Sequence, residues 1–436
     1  MVYLCRYDTL DRYSFLCPHL ETLEVHDRTW SSIFTNPLWL NVADLIAESP
    51  TLTTIKLSAN HNALAMDIWD VILDSPKVKT LQLDSVRITE VEQASAFFRV
   101  CAVLERLELE MCDILDFWRS ENEESLAVPA FFPFLHEIKI VKPFQNNSEA
   151  QLQMVTKCPA LRSLCWCGAR ISLLFLLLAD ETIFACPKFE SLDVKRGWLW
   201  RPDIELFLKT TRNPLKRLLI PASGLDQAML KYLEPHFQSL QDLDISLCED
   251  VTSGGIVLLL RSCPFLTSFK AGVLLAADIT PGETWACADR LVTLSLMIGV
   301  RDTMTATDSE TAFNCLSKLR FLEELRLLGH GETTPEFSLP KSRTYSQNII
   351  LLQLRLDCGL ARLSTLWYLK RLYFSEAEGQ NMTMEEGNWI KDHWKMLQMV
   401  QGRFNNDAKL NSEIHELFKK CNSRYTRRLL RDKPLS

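Results

Sequence analysis

Large apolar residues recur along the chain in the order apolar-x-x-apolar-x-apolar. The copies begin at Leu20, Leu52, Val78, Leu104, Leu135, Leu161, Phe189, Leu215, Leu240, Leu266, Leu291, Leu322, Leu351 and Leu369. A weaker fifteenth copy holds Leu397 and Val400. Any leucine-rich chain contains loose matches to this pattern. A separation that returns to 25 or 26 residues, as from Leu215 to Leu240 to Leu266 to Leu291, does not arise that way. The x-apolar-x-apolar-x half of each copy has the period of two that marks a strand with one buried face. The stretch between copies is long enough for a returning helix. One such unit cannot bury its apolar face alone, whereas stacked copies bury a continuous core. The pattern predicts an α/β solenoid with a parallel concave sheet and a mostly helical convex side.

The flanks repeat as well. Cys17-Pro18, Ser49-Pro50, Ser75-Pro76, Cys158-Pro159, Cys186-Pro187, Asn213-Pro214 and Cys263-Pro264 each precede a strand. Proline lacks an N–H and fits where a helix ends and the chain turns extended. Asn60, Cys112 and Cys248 stand eight residues after their copies' first apolar positions. These features define a leucine-rich repeat. The stretch LQDLDISLCEDVTSGGIVLLLRSCP (240–264) resembles the cysteine-containing class of such repeats, best known from F-box proteins. NWIKDHWKMLQMVQGRFN (388–405) and the polar SEIHELFKKC (412–421) resemble the terminal repeat and cap of fungal F-box proteins of this type. The resemblance implies a horseshoe that recognises the substrate of a cullin-RING ubiquitin ligase. It places an edge segment without an F-box at residues 1–16, about 14–15 repeats over 17–405, and a helical cap with a basic tail at 406–436. The F-box itself is absent ahead of Leu20. Two readings follow: a relative without the F-box, or a chain shortened at its N-terminus. A binding of the ligase adaptor is expected only if an F-box lies upstream. A repeat scaffold or inhibitor that binds its partner stoichiometrically is the alternative.

Composition narrows the picture. A formal charge of −7 argues against a general nucleic-acid binder, which needs a basic face to displace phosphate counterions. The longest apolar run, ISLLFLLLA (171–179), is far short of the ~20 residues of a membrane span. The first residues, with Arg6, Asp8, Asp11 and Arg12, hold no apolar core of a signal peptide. Fourteen cysteines spread over a chain with a large core read as buried free thiols of an intracellular protein, cytoplasmic or nuclear. A monomer is expected.

No catalytic motif is present. Gly254-Gly255 precedes an apolar run but lacks the G-x-x-x-x-G-K-[ST] of a phosphate loop, and a tight turn into a helix is the better reading. Cys158, Cys165 and Cys167 cluster in CPALRSLCWC but lack the paired knuckles of structural zinc. Plain thiols are the first expectation there, a redox-sensitive pair the second, and zinc the last. No cofactor, metal or catalytic residue is expected.

The outward strand positions are the default binding face for a protein partner. The register nominates Arg106, Glu108, Glu110, Lys139, Asp193, Lys195, Asp242, Asp244, Lys270, Arg326, Arg355, Arg371 and Tyr373. Arg326, Arg355, Arg371 and Tyr373 gather over the last repeats, and Arg and Tyr are common anchors of binding energy. Extra residues at 28–40, 119–134 and 330–348 mark inserted loops, which in solenoids map to one side.

Overall fold

A computed structural model describes residues 2–5, 19–26, 37–114, 129–142, 148–168, 186–194, 199–301, 306–327, 349–376 and 379–419. The chain divides into two compact units, Met1–Asn213 and Pro214–Ser436. Each is an α/β solenoid.

In the first unit the strands are β1 (Val2–Cys5), β2 (Thr22–His26), β3 (Thr54–Asn62), β4 (Thr80–Ile88), β5 (Arg106–Glu110), β6 (Asp113–Ile114), β7 (Glu137–Val141), β8 (Ser163–Cys167) and β9 (Ser191–Asp193). All described pairings within this unit are parallel, and the short β6 pairs with the end of β4. Each strand enters the ladder at the same point of its repeat. Leu23, Ile55, Leu81, Leu107, Ile138, Leu164 and Leu192 therefore align across the sheet. All seven are buried, as the alternation requires. Helices Pro37–Ala47, Met66–Asp74 and Val91–Cys101 return the chain behind β2 to β5. Trp69, Phe97, Phe98 and Phe132 form a chain of aromatic contacts at 5.2–6.1 Å between centroids on that side.

The small residue before four of these prolines has a definite task. Ser49 Oγ donates to the carbonyl of Leu45 at 2.6 Å and Ser75 Oγ to Val71 at 2.7 Å. Cys158 Sγ donates to Met154 and Cys186 Sγ to the Cys158 carbonyl of the preceding repeat. The carbonyls at a helix C-terminus lack intrahelical partners, and Ser49, Ser75 and Cys158 supply them, while Cys186 ties its repeat to the one before. Cys112 and Cys248 likewise donate to Leu83 and Ile220 of the preceding repeat. Burial pushes the thiols of Cys112, Cys263 and Cys287 up to about 12, so they are inert structural groups.

The second unit holds β10 (Arg217–Leu219), β11 (Asp242–Asp244), β12 (Ser268–Leu275), β13 (Thr293–Arg301), β14 (Glu324–Leu327), β15 (Ile349–Leu351), β16 (Arg371–Phe374) and β17 (Met399–Gln401). The ladder runs parallel from β10 to β14, passes directly to β16 and ends at β17. The copy at Leu351 is therefore not a rung. Ile349–Leu351 lies antiparallel to the far end of β13, and the chain then leaves the sheet. Leu352 and Leu354 are buried in the turn that follows, and a 3-10 helix, Leu360–Thr365, replaces the α-helix.

The exit turn contains a second regularity. Ser85, Met111, Lys142, Gly168, Ala222 and Leu247 all have positive φ, and each stands seven residues after its repeat's first apolar position. A non-glycine residue in this region costs roughly 1–2 kcal/mol. Ala222→Gly is therefore expected to raise the stability of the second unit by about 0.5 kcal/mol after the entropy cost of glycine, measured by urea unfolding.

Helix Met384–His393 begins with a capping box. Thr383 Oγ1 accepts from Glu385 N at 3.2 Å, and Thr383 N and Oγ1 donate to Glu386 Oε2 at 2.7 and 2.6 Å. Burial pushes the Glu386 carboxyl up, but the bonds from Thr383 and from the Leu356 N–H outweigh it and hold the group below its ordinary 4.5. A depressed carboxyl stabilises the fold above its unfolded pKa and loses that contribution as pH falls through the folded value. Glu386→Gln is expected to cost about 1–2 kcal/mol at neutral pH, and the difference from wild type should fade under acid conditions.

Candidate partner-binding surface

Two outward rows cross the first unit. One runs Glu24, Lys56, Gln82, Glu108, Lys139, Cys165, Asp193 over β2 to β9. The next runs His26, Ser58, Asp84, Glu110, Val141, Cys167. A shallow depression of about 160 Å3 lies over β2 to β5, and Glu24, Lys56, Asp84, Glu108 and Glu110 line it. Its charges are mostly satisfied by neighbours. Lys139 pairs with Glu108, Lys142 with Glu110 at 3.3 Å, Lys56 with Glu24 at 3.9 Å, and Arg106 with Glu137 at 3.3 Å. Asp84 accepts from Ser58 Oγ at 3.0 Å and Ser85 Oγ at 2.9 Å. Half-exposed pairs of this kind contribute ~0–1 kcal/mol each. Burial pulls the Lys139 ammonium down, but Glu108 overrides it and the group sits above its ordinary value.

In the second unit one outward row runs Leu219, Asp244, Lys270, Ser295, Arg326, Tyr373, Gln401. The row beside it carries Arg217, Asp242, Ser268, Thr293, Glu324, Arg371 and Met399. Arg326, Arg371 and Tyr373 do come together. Glu324 is 6% exposed and receives Arg326 Nε and Arg371 Nη2, the latter at 2.6 Å. The Arg326 guanidinium also lies over the Tyr373 ring at 4.3 Å. The arginines of this cluster are thus already engaged by a buried carboxylate.

Several nominated residues stand differently from expectation. Arg355 is not on a strand of the parallel ladder. It follows β15 in the turn, where it pairs with Asp357. Asp244 is 5% exposed, accepts from Ser246 N and Oγ at 3.2 and 2.6 Å, and faces Lys270 at 3.6 Å. It closes the turn after β11 instead of standing free. Asp193 is 7% exposed beside Cys165 and Cys167. Asp242 accepts from Thr267 Oγ1 at 3.4 Å. Lys195, the 330–348 insert, most of the other two inserts, and the basic tail beyond 419 lie outside the described residues.

The surface with the clearest unmet demand was not nominated from the sequence. Phe265, Arg290, Phe321, Tyr368 and Met396 each stand immediately before the first apolar residue of a repeat. The ladder register places them three residues before Ser268, Thr293, Glu324, Arg371 and Met399, so they form a row along the N-terminal edge of β12, β13, β14, β16 and β17. Phe321, Tyr368 and Met396 are 47–48% exposed, and the neighbouring Trp367 is 66% exposed. Phe321 and Tyr368 stack at 6.0 Å, and Arg290 lies over Phe265 at 4.9 Å. Single exposed apolar residues are ordinary, but a row that stacks exposed aromatic rings and an arginine along one edge is not.

Among the described residues no helix is long and apolar enough to cross a membrane. No family model matches the chain, and no curated protein matches it. Among solved structures it is similar to one titled as the crystal structure of the Rad7 and Elc1 complex in yeast. The identity is 15%, the match covers 62% of this chain and 68% of that one, and the TM-score is 0.39. At that distance the assignment as an α/β solenoid rests on the chain's own ladder of parallel strands in constant register. The class it defines is a repeat solenoid with polar outward rows and an aromatic edge.

Proposed function

We propose that the chain is a protein-interaction module, with no chemistry of its own, whose partner docks on the second unit. The observation that carries this is the aromatic row Phe265, Phe321, Trp367, Tyr368 and Met396, with Arg290 within it. Interfaces concentrate aromatic residues and Arg at their centres and polar groups at their rims. The rows bearing Asp242, Lys270, Arg326, Arg371 and Tyr373 adjoin it and would form such a rim. In the finer reading, supported by the cysteine-class repeats and the terminal pattern, the partner is the substrate of a cullin-RING ubiquitin ligase. The ligase adaptor would then be bound by an F-box encoded upstream.

In the alternative reading the module acts as a stoichiometric scaffold or inhibitor of the same partner. Affinity capture compared between wild type and Phe321→Ser/Tyr368→Ser tests the common claim. Partners retained by wild type and lost from the variant are expected; an unchanged set would remove the proposal. Partner abundance that rises when the gene is deleted supports the ligase reading, and unchanged abundance supports the scaffold.

A further inference from the structure

We propose that Cys165, Cys167 and Asp193 form a binding site for a thiophilic divalent cation of the Zn2+ type on the outward face of the first unit. Their ligand atoms all lie within 4.8 Å of one another. The two sulfurs are 3.5 Å apart. A zinc ion with Zn–S bonds of ~2.3 Å in a tetrahedral site sets its sulfurs about 3.8 Å apart, so the pair needs little movement to chelate. The spacing follows from the fold. Cys165 and Cys167 are two apart on β8 and share its outward side, while Trp166 between them is fully buried and fixes the strand. Asp193 is the partner of Cys165 on the adjacent β9. Two parallel strands in register thus hold all three donors before any ion arrives.

Donor chemistry selects the ion. Two sulfurs and one carboxylate suit a borderline-soft cation, whereas Ca2+ and Mg2+ take oxygen ligands only. Three protein ligands leave a fourth position, which water would fill. Binding would release the two thiol protons, leaving a complex of net charge −1 from one divalent cation, two thiolates and one carboxylate. The charged groups facing it are Lys139, beside Cys165 in the register, and Glu108, which pairs with Lys139.

The site is absent from a search for paired knuckles because its third donor comes from the next repeat. Cys158, the nearest cysteine in sequence, takes no part. It is buried and donates to Met154. The inference is independent of the proposed partner surface, which lies in the other unit.

The test uses the full chain in a phosphine reductant. Zn2+ is titrated against a chromophoric chelator, and alkylation of each cysteine is followed by mass spectrometry with and without the ion. One tight equivalent is expected for wild type and none for Cys165→Ser/Cys167→Ser. Asp193→Asn should weaken affinity at least tenfold, and Cys358→Ser should leave it unchanged. In the wild-type protein, where folding of a variant is not at issue, Zn2+ should slow alkylation of Cys165 and Cys167 at least tenfold and leave Cys358 unaffected. Absence of a bound equivalent, equal protection of all accessible cysteines, or a Cys165–Cys167 pair that forms a disulfide but takes up no metal when reduced would overturn the site.

Discussion

Phe404→Ala is expected to destabilise the second unit by about 4 kcal/mol, within the range for removing a buried phenyl ring. Phe404 is fully buried where the last repeat meets the terminal helix that spans 408–419. Its ring meets Phe374 edge-on at 5.1 Å, stacks on Phe418 at 5.4 Å and contacts His415 at 4.8 Å. Phe374 comes from β16, whereas His415 and Phe418 belong to the helix. One ring therefore joins the final rungs to the element that covers them. The backbone is equally committed: Phe404 N donates to Asn411 Oδ1 at 2.8 Å and its carbonyl accepts from Met382 N at 2.9 Å. The cavity left by alanine has rigid walls on the sheet side, so it collapses only by releasing the helix. Urea unfolding should show the loss, with Phe404→Leu intermediate and the exposed Phe321→Ala within about 0.5 kcal/mol of wild type. A loss below about 1 kcal/mol for Phe404→Ala would show that the helix does not cap the array.

Glu324→Gln should be the second largest effect, about 3 kcal/mol. The carboxylate is almost fully covered and holds Arg326 and Arg371 on neighbouring strands. The amide keeps the shape but removes the negative charge, so two guanidiniums face each other with no anion between them. Both arginines keep about a third of their side-chain surface exposed, so water can take up part of the loss. The figure therefore sits at the lower end of the range for breaking a buried pair. Adding Arg371→Gln to Glu324→Gln should recover part of it, because one of the opposed charges is gone. A single substitution within about 0.5 kcal/mol of wild type would show that the trio is ordinary surface charge. The trio also bears on mapping: reversing Arg326 or Arg371 would strand a buried carboxylate, so lost binding in such a variant would report damage to the sheet as readily as a lost contact.

The strands and their common register were legible because leucine spacing and period-two alternation report burial directly. The Ser-Pro and Cys-Pro flanks were legible for a similar reason, since a helix end needs a donor and the strand after it tolerates proline. The copy at Leu351 misled because Leu351, Leu352 and Leu354 are buried by the turn, and burial alone does not say that a segment is a rung. The left-handed exit residue was hidden, because Ser85, Met111, Lys142, Ala222 and Leu247 share no side-chain property. The strain there is imposed by the stacked turns. The two proposed sites left signals only when repeats are aligned on their first apolar position. Asp193 occupies the same position in its repeat as Cys165 in the one before, and Phe265, Phe321, Tyr368 and Met396 all occupy the position just before the first. Charge drew the sequence reading to the outward rows, where Glu108 pairs with Lys139, Arg106 with Glu137, and Arg326 and Arg371 with Glu324.

The most direct test of the docking claim is a photo-crosslinking side chain placed in turn at Tyr368, on the aromatic row, and at Asp392, on the exposed face of helix Met384–His393. Crosslinks to the captured partner from position 368 and none from 392 are the predicted result. Crosslinks from 392 with none from 368 would contradict the account.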